Sequence, residues 1–377
     1  MKKTVAVFFG GQSTEHDISI ITALGSVIKP LELSKKYTVL PVYITKKGKW
    51  LSGSALKNID LFRSKKIETF ELKTKAAKVV FDGGLSIDGM KIDIAFPAMH
   101  GPYGEDGSLM GLLRMANIPF VGADMDASVI AMDKVLAKQV AVSNKIPTST
   151  FVFTTRAQFQ ADPAASVSLA ESQLSYPMFV KPAHLGSSIG ITRVTTKTEL
   201  LNAIEVAAYY DEKIIIEEAV ANLIEVTVPI IGNDVPKVAL VERPLSQGEA
   251  FFDFETKYMG NGGKKGGGKA GAQGYSQLPA VLPGNLYDES VDVALQVYTA
   301  LSMTGIARVD LLIDEKAKIV YFNEVNPLPG DLYGHNWRAA GVSKVQLVEE
   351  LIRYAEERYD QKSQIDTTFS SSFLQQF

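Results

Sequence analysis

The chain has 377 residues, 46% of them hydrophobic and 21% charged, with a formal net charge of -3 and no cysteine. That charge offers no basic field to nucleic acid or anionic lipid, and the lack of thiols excludes disulfides, cysteine nucleophiles and thiolate-held zinc. The length predicts two or three domains, and no apolar run approaches the roughly 18 residues of a bilayer span.

Small-molecule partners and oxygen-ligated metals are the classes that remain. Met1-Lys-Lys-Thr carries the charge of a secretory leader, but the apolar run Val5-Ala-Val-Phe-Phe9 is shorter than the roughly 7 to 15 residues of a leader core. Residues 4–9 therefore read as the first buried strand of a cytoplasmic protein. A glycine turn, an apolar helix pattern over 18–31 and a strand over 37–44 follow, and strand, helix, strand predicts a parallel sheet. Another strand over 93–97 leads through a glycine-rich loop into a helix over 108–116. These elements form an α/β, Rossmann-like N-terminal domain, residues 1–123.

After a helix over 127–143, Pro147 and the Asp162-Pro163 segment mark a change to strand-rich, α+β texture. Strands are predicted over 177–182, 213–217, 225–231 and 237–241, with a helix over 197–210. Strands over 306–313 and 318–325 flank a polar link, and a helix over 344–358 follows. The domain reading is a central unit, 124–220, a C-terminal unit, 221–360, and a polar tail, 361–377. No internal repeat is found.

The most informative constellation is Arg308-Val-Asp310 with Glu324-Val-Asn326. Residues two apart on a strand share a face. A hairpin with Asp314 opposite Lys318 sets Arg308 across from Glu324, with all four polar groups on one face and Val309, Leu311, Ile313, Ile319, Tyr321 and Val325 on the other. Two carboxylates and an amide suit Mg2+ that keeps positions for water and phosphate. The same spacing also fits an arginine salt-bridged to surface carboxylates, although a salt bridge has no need of Asn326.

Four loops add candidates. Gly10-Gly-Gln-Ser-Thr-Glu15 stands where α/β folds bind the polar end of a ligand, and Glu15 suits a substrate ammonium; a plain turn capped by Ser13 is the alternative. The dinucleotide fingerprint is absent, which argues against a dehydrogenase. His100-Gly-Pro-Tyr-Gly-Glu-Asp-Gly107 is a second glycine loop, and all four histidines, His16, His100, His184 and His335, read as loop residues. Lys181-Pro-Ala-His-Leu-Gly-Ser-Ser-Ile-Gly190 resembles a phosphate clamp or a hairpin turn. Glu217, Glu218 and Glu225 suit a ribose or simply a charged surface. Finally, Gly263 to Ala270 falls one residue short of a P-loop: Ala270 stands where Ser or Thr is required. A mobile cover bringing Lys264, Lys265 and Lys269 to a polyphosphate is the reading that remains.

Taken in order, these segments resemble the D-alanine:D-alanine ligases of the ATP-grasp superfamily, over residues 4–355. The resemblance rests on the three loops just quoted and on Ala131-Met-Asp-Lys134, Glu225-Val-Thr-Val228, Phe254-Glu-Thr-Lys-Tyr258, Arg308-Val-Asp310 and Asn323-Glu-Val-Asn326. It implies ATP-grasp central and C-terminal domains, with ATP between them. Lys134 and Lys181 would lie near the adenine and phosphates and Lys257 on the phosphates, with Glu218, Ala219 and Val220 facing the adenine and Glu225 the ribose. Asp310, Glu324 and Asn326 would hold two Mg2+, or Mn2+. A first D-alanine would offer its ammonium to Glu15 beside His100, and its carboxylate would become an acyl phosphate. A second D-alanine would then attack, with Arg308 and Gly330 meeting the oxyanion.

Ser187 and Tyr258 would join Glu15 in closing a lid whose outer part is the glycine-rich segment. The product would serve peptidoglycan synthesis, in a cytoplasmic homodimer. One departure stands out: Asp331-Leu332 follows Gly330 where relatives carry a serine for the acceptor carboxylate. Asp331 would repel that carboxylate unless it turns away or is protonated, leaving D-serine or another amine as an alternative acceptor. A nucleotide-binding relative without catalysis is the remaining alternative.

Overall fold

Six consecutive buried residues, Val5 to Gly10, give the first strand two covered faces, as the centre of a parallel sheet requires. In this computed structural model, which describes residues 2–64, 66–186, 188–245, 276–368 and 370–377, that strand is β1 (Lys3–Gly10). It lies between β2 (Tyr37–Ile44), whose far side carries the short β3 (Trp50–Ser52), and a partner further along the chain. A small antiparallel meander, β4 (Val79–Phe81), β5 (Leu85–Ile87) and β6 (Met90–Ile92), which the sequence reading lacked, precedes that partner, β7 (Ile94–Pro97). β1 pairs in parallel with β2 and β7, as expected of a Rossmann-like sheet, and β3 adds an antiparallel edge to give the order β3-β2-β1-β7.

The helical stretch after β1 is longer than predicted. It runs as α-helix His16–Thr22, a π-helical segment Ala23–Ile28 and α-helix Lys29–Ser34, ending at Lys35 in the left-handed region. Its apolar residues Ala23, Val27 and Leu31 share one core with Leu328, Leu332 and Trp337 and with Leu347, Val348 and Leu351 of the helix Lys344–Ser363. The first and last thirds of the chain are thus packed as one body. The C-terminal helix runs five residues past the predicted end at 358, to Ser363, and the described residues of the tail beyond are exposed, including those of its short turn Phe373–Gln376.

The second sheet is antiparallel, in the order β10-β9-β11-β8, from β8 (Phe151–Thr155), β9 (Met178–Pro182), β10 (Thr192–Val194) and β11 (Lys213–Glu218). Helices Pro163–Gln173 and Lys197–Tyr210 cover it. The third takes the order β13-β12-β16-β17, from β12 (Leu223–Gly232), β13 (Lys237–Val238), β16 (Gly305–Asp314) and β17 (Ile319–Asn326). A separate short pair joins β14 (Arg243–Pro244) to β15 (Ser276–Gln277). Only two residues of the strand expected over 237–241 are in the ladder.

Two differences bear on the site. The helix expected over 127–143 is two helices, Met125–Met132 and Lys134–Ser143, because Asp133 adopts an extended conformation and its carboxylate caps the second by accepting from the N–H groups of Val135 and Leu136. The apolar face of the third sheet is covered by the helix Leu286–Ala300, which the sequence reading did not identify although Leu286, Ser290, Ala294, Val297 and Tyr298 form its buried stripe.

Candidate active site

The β16–β17 hairpin departs from the predicted register, and the departure builds the site. Asp314 pairs with Ile319 rather than Lys318, Leu311 with Phe322, and the ladder then shifts so that Asp310 faces Glu324 and Arg308 faces Asn326. Asn323 is the extra residue of a β-bulge. Uninterrupted pairing would have turned Glu324 toward the apolar side. The extra residue reverses the alternation, so Val320 and Phe322 are buried before it and Val325 after it. The prediction that Ile319 and Tyr321 join the apolar face is therefore wrong, while the shared face of Arg308, Asp310, Glu324 and Asn326 is found.

On that face the Arg308 guanidinium donates to both Asp310 oxygens, at 2.8 and 2.6 Å, and Asn326 Nδ2 donates to Asp310 Oδ2 at 3.1 Å. The Tyr333 ring lies 5.5 Å from the guanidinium carbon. No three His, Asp or Glu side chains among the described residues form a metal cage. Two carboxylates and an amide oxygen would instead supply part of an octahedral shell, a donor set that fits Mg2+ shared with phosphate oxygens.

Glu324 and Arg308 open onto a polar cavity that also receives Glu15, His100, Glu105, Lys134, Gly186 and Gly330. Six stretches of the chain therefore meet at one point. Glu15 sits at the mouth of the helix His16–Thr22, and the ring of His100 bonds to Thr22 Oγ1 at 2.9 Å while its backbone N–H donates to Ser19 at 2.8 Å. Burial holds His100 neutral, with a pKa lowered to about 4. Gly101 needs its glycine: at φ +74°, a Cβ would lie 2.4 Å from Ser13 Oγ. His16 and His335, predicted in loops, belong instead to the first turns of helices His16–Thr22 and Gly334–Ala339.

Glu105 was missed although its loop had been singled out. Its carboxylate accepts from the Gly101 N–H at 2.6 Å, and burial, then the neighbouring Glu15, raise its pKa to about 8. Lys138 and Glu217 were missed as a pair. Lys138 Nζ is 2.7 Å from Glu217, which is also bound by Lys181. Burial would raise the Glu217 pKa, but Lys138 and Lys181 hold it at about 2. The signal lay in the periods: Lys138 follows Lys134 by one helical turn, and Lys181 and Glu217 share a sheet face.

Lys134 reaches the Leu185 carbonyl at 2.7 Å and Glu324 at 3.3 Å, and Lys181 reaches Asn323 Oδ1 at 3.3 Å. Glu218 ends β11, and Ala219 and Val220 begin the short link to β12. There Ala219 N–H donates to Pro177, and Glu218 accepts from Ser175 N–H at 2.6 Å. Glu225 lies on β12 opposite Leu312. Asp331 does not face the cavity: its carboxylate pairs with Lys344 at 2.7 Å and accepts from Ser26, and its N–H donates to Thr22. Leu332 is wholly buried in the core that joins the first and last thirds of the chain. Ser187, Lys257, Tyr258 and the glycine-rich segment lie outside the described residues.

Residues 4–123 match the family model of the D-ala D-ala ligase N-terminus, and residues 140–353 that of the C-terminus. The chain is 38% identical over 372 residues to a D-alanine–D-alanine ligase of Chlorobium limicola, covering 95% of this chain and 98% of the relative. It is 35% identical to one of Clostridium acetobutylicum, covering 95% and 99%. Among solved structures it resembles the D-alanine-D-alanine ligase of Coxiella burnetii, with TM-score 0.79, 25% identity and 96% of each chain covered. It also resembles the D-Ala:D-Ser ligase VanG of Enterococcus faecalis, with TM-score 0.76, 31% identity and coverage of 94% and 100%.

Proposed function

The chain belongs to the D-alanine:D-alanine ligase family, and on that premise we propose that it joins two D-alanines with ATP, through a D-alanyl phosphate, to give D-alanyl-D-alanine for peptidoglycan precursors. The observation that carries this reading is the convergence of Glu15, Lys134, Arg308 and Glu324 on one cavity. A carboxylate for an ammonium, cations for phosphates and a magnesium-type oxygen set are the groups an ATP-dependent amide synthesis requires, and catalysis of this kind rests on positioning and charge neutralisation.

Glu15 holds the first substrate's ammonium, with neutral His100 beside it. The substrate's carboxylate oxygen attacks the γ-phosphorus, ADP leaves, and Lys134 and Lys181 meet the phosphate charge with Lys257. Asp310, Glu324 and Asn326 hold the Mg2+, or Mn2+, ions, which neutralise phosphate charge. Glu218, Ala219 and Val220 border the adenine, and Glu225 takes the ribose. The amine of the second substrate, having lost a proton, attacks the acyl carbon and expels phosphate, while Arg308 and the Gly330 N–H stabilise the oxyanion. Ser187 and Tyr258 complete the closed site with Glu15. In this reading the domains divide near residues 123 and 220, and the enzyme is a cytoplasmic homodimer.

Asp331, engaged by Lys344 and Ser26, leaves the carboxylate of a D-amino-acid acceptor unopposed, which removes the objection to D-alanine without distinguishing it from D-serine. The test is phosphate release from ATP with D-alanine alone, D-serine alone and the two together, with products identified by mass. D-Alanine-dependent release yielding the homodipeptide supports the proposal. The mixed dipeptide as main product would transfer the acceptor role to D-serine, and release independent of both amino acids would refute the ligase reading.

A further inference from the structure

Beside the cavity, where the exit of β9 meets the helix Lys134–Ser143, a second polar cluster surrounds His184. Its Nδ1 is 2.9 Å from Asp211 Oδ1 and its Nε2 is 3.3 Å from Asp133 Oδ2. Its backbone N–H donates to Asp211 at 2.7 Å. A neutral imidazole carries one N–H and one lone pair, so a ring with carboxylates at both nitrogens would aim a lone pair at an anion unless both are protonated. Lys213, ion-paired with Asp133, and Lys134 are the nearby cations from the packed elements. Hydrogen bonds to Asp133 and Asp211 nonetheless hold the ring protonated, with a pKa raised to about 9.

The cluster adjoins the groups that face ATP. Asp133 Oδ1 accepts from Val135 and Leu136 at 2.9 and 3.1 Å, fixing the start of the helix whose first residue is Lys134. Lys134 N–H in turn donates to the Ala183 carbonyl at 3.1 Å, and its Nζ to Leu185, the residues on either side of His184. Asp211 anchors the other side, at the turn into β11, where its Oδ1 also accepts from Lys213 N–H at 3.2 Å.

We propose that His184 is a positioning residue: its imidazolium clamps Asp133 to Asp211 and thereby sets Lys134 and the Leu185–Gly186 edge for the phosphates of ATP. The inference rests on the ligase reading for the identity of the nucleotide, but the clamp itself is tested without it. Ring-nitrogen NMR of the full chain carrying isotopically labelled histidine, assigned with His184→Ala, should show His184 as imidazolium at pH 8; a neutral ring at that pH overturns the proposal.

In kinetics, His184→Ala should raise KM for ATP about tenfold while kcat and KM for D-alanine stay within about twofold. His184→Arg, which keeps the charge, should return KM for ATP to within about threefold of wild type. It should also lack the extra rise in KM expected of wild type as pH passes 9. An unchanged KM for ATP in a folded His184→Ala, or identical pH profiles for wild type and His184→Arg, overturns the proposal. Should the alanine variant fail to fold, the arginine variant and the wild-type titration decide. Wild type lacking ATP-dependent ligation would sink the functional reading alone, because the NMR titration still reports the clamp.

Discussion

Glu324 occupies the point where three demands meet: it lines the cavity, faces Asp310 across the ladder and lies 3.3 Å from Lys134. Glu324→Gln keeps the shape and removes the charge. Ligation should fall on the order of 10²-fold or more with the circular dichroism spectrum unchanged; near-wild-type turnover would remove Glu324 from the metal set. Asp331 makes the opposite case. From sequence it threatened the acceptor's carboxylate, because a motif names a residue's position and not the direction of its side chain. Its backbone sits in the left-handed region, at φ 54°, and its carboxylate turns to Lys344 and Ser26. Asp331→Ser should therefore leave KM for the acceptor within about twofold and destabilise by less than about 1 kcal/mol, since the pair is half-exposed. A large gain in acceptor affinity, read by steady-state kinetics, would place the carboxylate in the subsite after all.

Secondary-structure periods made much of the architecture legible: strands β1, β2, β9, β11, β16 and β17 and the helix Lys197–Tyr210 lie close to where alternation and turn residues place them. What stayed hidden was local irregularity. A single extra residue, Asn323, decides which face Glu324 presents, and nothing in a period-two pattern marks it. The break at Asp133 was likewise invisible because Asp is a tolerable helix residue until its carboxylate finds N–H groups to cap. Lys138 and Glu217 were readable in principle from spacing, but only their joint burial distinguishes them from surface charge. Deleting Asn323 tests the bulge. Without it Glu324 follows Phe322 directly, and regular alternation keeps Glu324 on the polar face opposite Asp310, so the deletion should leave the thermal midpoint nearly unchanged and the chain still able to ligate. A deletion variant that unfolds or loses ligation altogether would show that Asn323 is not the extra residue of the ladder.

Across the whole molecule, acid and base reach different ion clusters. Glu217 has its folded pKa depressed from 4.5 to about 2, so its contribution is present above 4.5 and is lost as pH falls toward 2. His184 has its folded pKa raised from 6.5 to about 9, so its contribution is full below 6.5 and is lost as pH rises through 9. Buried Glu105, raised from 4.5 to about 8, further erodes stability as pH climbs between those values. Thermal midpoints measured without ligands should peak between about pH 5 and 6.5 and decline on both sides; a midpoint that climbs steadily to pH 9 would contradict these assignments. The fold itself unites distant parts of the chain, since the helical stretch after β1 and the C-terminal helix share one core and hold Glu15 beside Arg308.

The central claim is that this convergence activates a carboxylate by phosphoryl transfer before the amide forms. It is tested most directly by supplying D-alanine labelled with heavy oxygen in both carboxylate positions and following the released phosphate by phosphorus NMR. One heavy oxygen per phosphate, appearing in step with dipeptide, is the result predicted; dipeptide formed with unlabelled phosphate would contradict it.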